Sequence, residues 1–300
     1  MNEARKLVDL LRSKQVTNKS LGQHFLISDA MIALPINHAK VHSNDHVLEI
    51  GPGPGVLTQQ LLKTGCKVTA IEIDDGIYNH LMRLFKSEID SGLLTLIHGD
   101  VLTHAWPKDV SKIVANIPYQ ISSPLIDRIC RISQENRPMC VVLLVQQEFA
   151  ERLSLQGGPD SMGSLGLTTA LDWDVRLGSV VPPHCFVPSP KVHSRLVRLT
   201  PRIDGPDSDF DRKLHRIVVR HVFEQRRRKV RSRLKEVPKR IQRVQGWYRS
   251  KWKAAIRFLD ENPPFNFDAR PDEIKPEEWI ELINQLQRFE PESDAVFASD

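Results

Sequence analysis

"HVLEIGPGPGVLTQQLLKTG", residues 46–65, decides how the chain is read. Val47, Leu48 and Ile50 make a short apolar run of strand length, glycines recur at 51, 53 and 55, and Val56, Leu57 and Leu61 then fall at helical spacing. That is a strand, a tight turn and a helix. Working outward, the pattern repeats: "KVTAIEID" (67–74), "LTLIHGD" (94–100), "KIVANIP" (112–118) and "CVVLLVQQ" (140–147) read as buried strands, with helix-compatible segments such as "GIYNHLMRLFKSEID" (76–90) between them. Strand and helix in alternation predict an α/β fold, a doubly wound, mostly parallel sheet. "DVRLGSVV" (174–181) and "SRLVRLT" (194–200), joined by "PPHCFVPSPK" (182–191), are expected as an antiparallel pair at the end of that sheet.

The flanks read differently. Residues 1–45 are expected to be mainly helical, with "NKSLGQHFLIS" (18–28) as a loop, and "TPRIDGPDSD" (200–209) reads as a linker. The predicted division is therefore 1–203 and a smaller helical domain, 204–300, ending in an acidic, frayed tail. With 300 residues, 40% of them hydrophobic, the chain is long enough for these two cores. No apolar run approaches the ~20 residues that cross a bilayer, and the N-terminal stretch lacks the apolar region of a leader, so the cytoplasm is the expected location. Cys66, Cys130, Cys140 and Cys185 are scattered without a CxxC pair and are expected as reduced thiols.

Charge is unevenly distributed. Residues 212–257 hold 18 Lys and Arg against Glu224 and Glu236, a local +16 in a chain whose total is +5, which leaves −11 elsewhere. Such an excess fits a polyanion better than a solvated helix face, and Arg226, Arg227, Arg228, Lys229, Arg231 and Arg233 are the candidate phosphate contacts.

The glycine loop is not a dinucleotide fingerprint, because Val56 stands where GxGxxG needs a third glycine. Glu72 and Asp100 end the next two strands, where open α/β sheets bind ligands. One carboxylate there suits ribose hydroxyls and the other the amine of an adenine. At the end of the following strand stand Asn116, Ile117, Pro118 and Tyr119. Pro118 cannot extend the ladder, so a strand-ending turn alone would account for it. The order of glycine loop, acid, Gly-Asp and Asn-x-Pro-aromatic nevertheless resembles the adenosylmethionine-dependent amino-methyltransferases.

An exocyclic amine is a poor nucleophile because its lone pair is delocalised into the ring. A catalyst can turn that lone pair outward by holding the amine hydrogens with acceptors, a task that suits the side-chain oxygen of Asn116 and the carbonyl of Ile117. Tyr119 offers the base a stacking face, and Phe186 in the proline-rich loop is the candidate for the opposite wall. The eleven histidines show no ligand spacing, so no metal is expected.

"LGQHFL", "EIGPGPGVLT", "IEID", "GDVL", "NIPYQISSP", "VQQEFAERL" and "FVPSPKVHS" occur in this order between about residues 21 and 200. In this the chain resembles the ribosomal RNA adenine dimethyltransferases, which dimethylate two adjacent adenines near the end of small-subunit ribosomal RNA. The resemblance implies S-adenosylmethionine as cofactor, contacted by His24, Leu26, Gly51, Gly53, Glu72, Asp100, Val101 and Asn116. It also implies an adenine pocket at Asn116 to Tyr119 with Phe186, a substrate in the immature small ribosomal subunit, and a monomer. His193 and Leu165 depart from the family's usual Asp and Tyr, outside the proposed chemistry. A non-catalytic assembly factor on the same fold, or an adenine methyltransferase acting on large-subunit RNA or on DNA, stands as the alternative.

Overall fold

A computed structural model describes residues 3–13, 23–132, 136–158 and 161–291. Positions 18–22 of the expected loop and the tail beyond residue 291 lie outside the described residues. The chain divides into two compact units: Met1–Ser154 with Trp173–Pro201, and Leu155–Asp172 with Arg202–Asp300. Segment 155–172, which a boundary at 203/204 leaves in the first domain, thus groups with the second.

Among the described residues nine strands lie in the first unit: β1 (Phe25–Leu26), β2 (His46–Ile50), β3 (Lys67–Glu72), β4 (Leu94–His98), β5 (Lys112–Asn116), β6 (Cys140–Gln146), β7 (Trp173–Val181), β8 (Phe186–Val187) and β9 (Ser194–Pro201). Seven form one sheet in the order β4-β3-β2-β5-β6-β9-β7. The five strands from β4 to β6 are parallel, and β9 runs antiparallel to both of its neighbours, β6 and β7. This is the doubly wound fold, with β9 inserted ahead of β7. Its apolar strands are covered by helices because β2, β5 and β6 have almost no solvent-facing residue to make polar. At the amino ends of β2 and β5, Lys112 and Asp45 form a buried ion pair of 2.6 Å, which fixes the end opposite the ligand cleft.

The expected loop before residue 29 contains a strand. β1 pairs with β8, Phe25 opposite Val187 and Leu26 opposite Phe186, and the Ile27 N–H extends the contact to the Cys185 carbonyl at 2.8 Å. Two residues are too short a strand to show any periodicity.

The second unit is helical, with its own core. Asp211 caps Arg212–Phe223 by accepting from the Leu214 N–H at 2.7 Å, and Leu214, Val218 and Val222 turn inward as their spacing requires. Trp252 of helix Arg249–Glu261 and Trp279 of Pro276–Arg288 are fully buried, and the Trp252 indole donates to the Leu234 carbonyl at 2.9 Å. No described helix is long and apolar enough to cross a membrane. All four cysteines are buried and lie outside any disulfide.

Candidate active site

β2 is the strand at which the sheet order reverses, with β3 on one side and β5 on the other. A crevice is expected at the carboxyl end of such a switch point. There a cavity is lined by Gly51 and Gly53 after β2, Glu72 ending β3, Asp100 and Val101 after β4, and Asn116 to Tyr119 at the end of β5. His24 and Leu26 line it too.

The glycine turn follows from conformation and packing together. Gly51, Gly53 and Gly55 have φ of 62°, 55° and 83°. A Cβ on Gly55 would stand 2.5 Å from the Phe85 ring, so packing as well as conformation excludes a side chain there, and one on Gly53 would press the Phe25 ring at 3.1 Å. The Gly53 N–H then donates to Glu72 Oε2 at 3.2 Å.

Glu72 is 2% exposed, and its Oε1 accepts from the N–H groups of Ile73 and Asp74 at 2.9 and 3.0 Å. Burial raises its pKa against these three bonds. With three of about four acceptor sites taken, Oε2 retains room for one further donor. Beside it is an acid that the sequence reading passed over. Glu49 of β2 lines the cavity, is 1% exposed, and its Oε2 has no hydrogen-bond partner among the described residues. Burial, reinforced by the Glu72 charge, pushes its pKa from 4.5 to about 8. The signal was a lone carboxylate in the otherwise apolar "VLEI".

Asp100 accepts from the Leu102 N–H through Oδ1 at 2.8 Å, and its Oδ2 has no hydrogen bond among the described residues. Arg128 pins this turn by donating to the carbonyls of Val101 and His104. Asn116 donates through Nδ2 to the backbone carbonyl of His24 at 3.3 Å. His24 in turn donates through Nδ1 to the Pro188 carbonyl at 2.7 Å, because a carbonyl can only accept. Its ring stacks on Tyr119, with centroids 5.6 Å apart and planes at 28°. The Tyr119 hydroxyl is bonded to Ser194 Oγ at 2.7 Å, and burial raises the phenol pKa.

Phe186 is not brought into this arrangement. Expected as the wall opposite Tyr119, it is 3% exposed, packs within the core of the first unit on the strand that pairs with β1, and is not among the residues that line the cavity. The ring that stands against Tyr119 is that of His24. Of the two departures noted in the sequence, His193 is exposed and its carbonyl accepts from the Gln147 N–H. Leu165 lies half-buried in helix Ser164–Ala170.

A family model described as ribosomal RNA adenine dimethylase matches residues 14–247. The chain belongs to that family. A probable ribosomal RNA small subunit methyltransferase A from Methanopyrus kandleri is 34% identical over 90% of this chain and 92% of its own length. A ribosomal RNA small subunit methyltransferase A from Gloeobacter violaceus is 35% identical over 93% and 97%. Among solved structures, a dimethyladenosine transferase from Plasmodium falciparum superposes with a TM-score of 0.72 at 26% identity, covering 88% of this chain and 98% of that one. A ribosomal RNA adenine dimethylase draws its methyl groups from S-adenosylmethionine, and the cavity suits that cation: two buried carboxylates, both with raised pKa, are relieved by positive charge.

The dimethylase's second unit places the basic cluster among acids. Arg226 meets Asp272 at 3.3 Å, Arg228 meets Glu236 at 2.9 Å, and Lys229 meets Asp268 at 3.3 Å. Arg231 is held by Asp260 and Asp268. Arg233, its side chain 3% exposed, pairs with Glu236 and donates to the His221 carbonyl at 2.9 Å. Arg227 is exposed and has no ion pair among the described residues. Among the described residues no group of three or more His, Cys, Asp and Glu is placed to hold a metal.

Proposed function

We propose that this dimethylase transfers methyl groups from S-adenosylmethionine to the exocyclic amines of two adjacent adenines near the 3′ end of small-subunit ribosomal RNA, acting on the immature small subunit. The observation that carries this reading is the orientation of Asn116. Its Nδ2 is committed to the His24 carbonyl, which leaves Oδ1 as the acceptor offered to the cavity.

Glu72 and Asp100 would hold the ribose and adenine of S-adenosylmethionine, the glycine turn would approach it through backbone, and His24, Leu26 and Val101 would complete its surroundings. When bound, it supplies an electrophilic methyl on a sulfonium. Asn116 Oδ1 and the Ile117 carbonyl accept the two amine hydrogens of the target adenine, which turns the nitrogen lone pair out of conjugation. Pro118 fixes the turn that sets these two acceptors side by side. Tyr119, anchored by Ser194, presents a fixed face for the base. On methylation the surplus amine proton would leave to water, because the neutral amide of Asn116 does not take it. The second transfer to the same nitrogen has one hydrogen to hold, so a single acceptor suffices.

The same reading has the enzyme work as a monomer in the cytoplasm, where small subunits mature. Incubating it with labelled S-adenosylmethionine and unmethylated small subunits, followed by nucleoside analysis, should yield dimethyladenosine. No label in the small subunit, or label appearing only when large-subunit RNA or DNA is offered in its place, overturns the assignment.

A further inference from the structure

Once the folded second unit is considered, its free positive charge lies away from the arginine-rich run. Residues 237–259 contain seven Lys and Arg and no acid. Six of the seven, at 239, 240, 243, 249, 253 and 257, are exposed and form no ion pair among the described residues. This contrasts with 226–233, where four acids, Glu236, Asp260, Asp268 and Asp272, pair with five of six bases.

Arg249, Lys253 and Arg257 are four residues apart on helix Arg249–Glu261 and so form one stripe along it. The opposite side of that helix, Trp252, Ala255, Ile256 and Leu259, is buried, which fixes which way the stripe faces. The one carboxylate at i±4 of a stripe cation is Glu261, four positions after Arg257, and it forms no ion pair with Arg257 among the described residues. The seventh base, Lys251, lies over the Trp247 ring at 5.1 Å, and the neighbouring Tyr248 ring is 42% exposed. Exposed aromatic surface beside unpaired cations is what phosphates and unstacked bases engage together.

We infer that the helix stripe Arg249–Lys253–Arg257, with Tyr248 at its start, is a ribosomal RNA contact surface that carries more of the phosphate grip than the 226–233 run. Phosphate binding at 226–233 must first displace an intramolecular carboxylate from each base except Arg227, whereas the stripe meets RNA with nothing to displace. This inference rests on the RNA reading given above.

The test measures binding to unmethylated small subunits across a salt series, with Arg249→Gln/Lys253→Gln/Arg257→Gln compared with Arg226→Gln/Arg227→Gln/Arg228→Gln. Because the stripe is exposed, a thermal melt and a cofactor titration should match the parent and certify folding. The stripe variant should lower the slope of log affinity against log salt by about 2 to 3 and weaken binding about tenfold, with the smaller effect from the second variant. A slope unchanged in the stripe variant, or a larger drop in the 226–228 variant, overturns the inference. Failure of the unaltered protein to bind or methylate small subunits would instead overturn the RNA reading itself.

Discussion

Asn116 donates its side-chain amide to the backbone carbonyl of His24 over 3.3 Å, a bond between residues 92 positions apart. The amide has two ends and only the donor end is satisfied by this contact, so its orientation follows from the fold rather than from a bound substrate. Asn116→Ala removes the free acceptor, and methyl transfer should fall by about a hundredfold or more. Cofactor and small-subunit binding should persist, as single-turnover and equilibrium measurements will show.

Glu49 makes folding stability depend on pH. Its folded pKa of about 8 lies above the ordinary 4.5, so between those values the folded state holds a proton that the unfolded chain has released. Stability therefore declines as pH rises from about 4.5 and levels off, for this group, above about 8. In the cofactor-free protein, Glu49→Gln should flatten that decline and raise the melting temperature at pH 8, read from melts at pH 5 to 9.

Glu72 accepts three backbone N–H groups, one of them from Gly53. Glu72→Ala should therefore weaken S-adenosylmethionine binding and lower the melting temperature at once, since buried donors lose their partner. Calorimetric titration and a thermal melt on the same sample separate this from a variant that loses the ligand contact alone.

Phe186 behaves as a core ring. Phe186→Ala should cost about 3 to 5 kcal/mol of stability, and Phe186→Leu much less, with activity following the fraction folded. A stable Phe186→Ala protein that binds cofactor but transfers slowly would instead place the ring at the substrate.

Tyr119→Phe keeps the stacking face and loses only the Ser194 bond. It should retain most activity, whereas Tyr119→Ala should raise KM for RNA and lower kcat together.

The sheet and the strand-end residues could be read from sequence because each sits beside its own signal: a glycine turn or a proline next to an apolar run. The burial of Phe186 was not legible because its neighbourhood is set by a two-residue pairing with Phe25 and Leu26, far away in the chain. Glu49 was overlooked since a strand residue shows no sign of which face it lines. The arginine run looked free because Asp260, Asp268 and Asp272, which neutralise much of it, lie just past the window of positive charge.

The β1–β8 pairing sets an order of completion during synthesis. The glycine turn, both strand-end acids and Asn116 are all made by residue 116, yet His24 has its Pro188 carbonyl only some seventy residues later. A chain emerging N-terminus first thus carries the parts of a methyl-donor pocket long before the amide is aimed. On the proposed reading, a product truncated before Pro188 would hold most of the site's residues without the hydrogen bond that fixes the His24 ring.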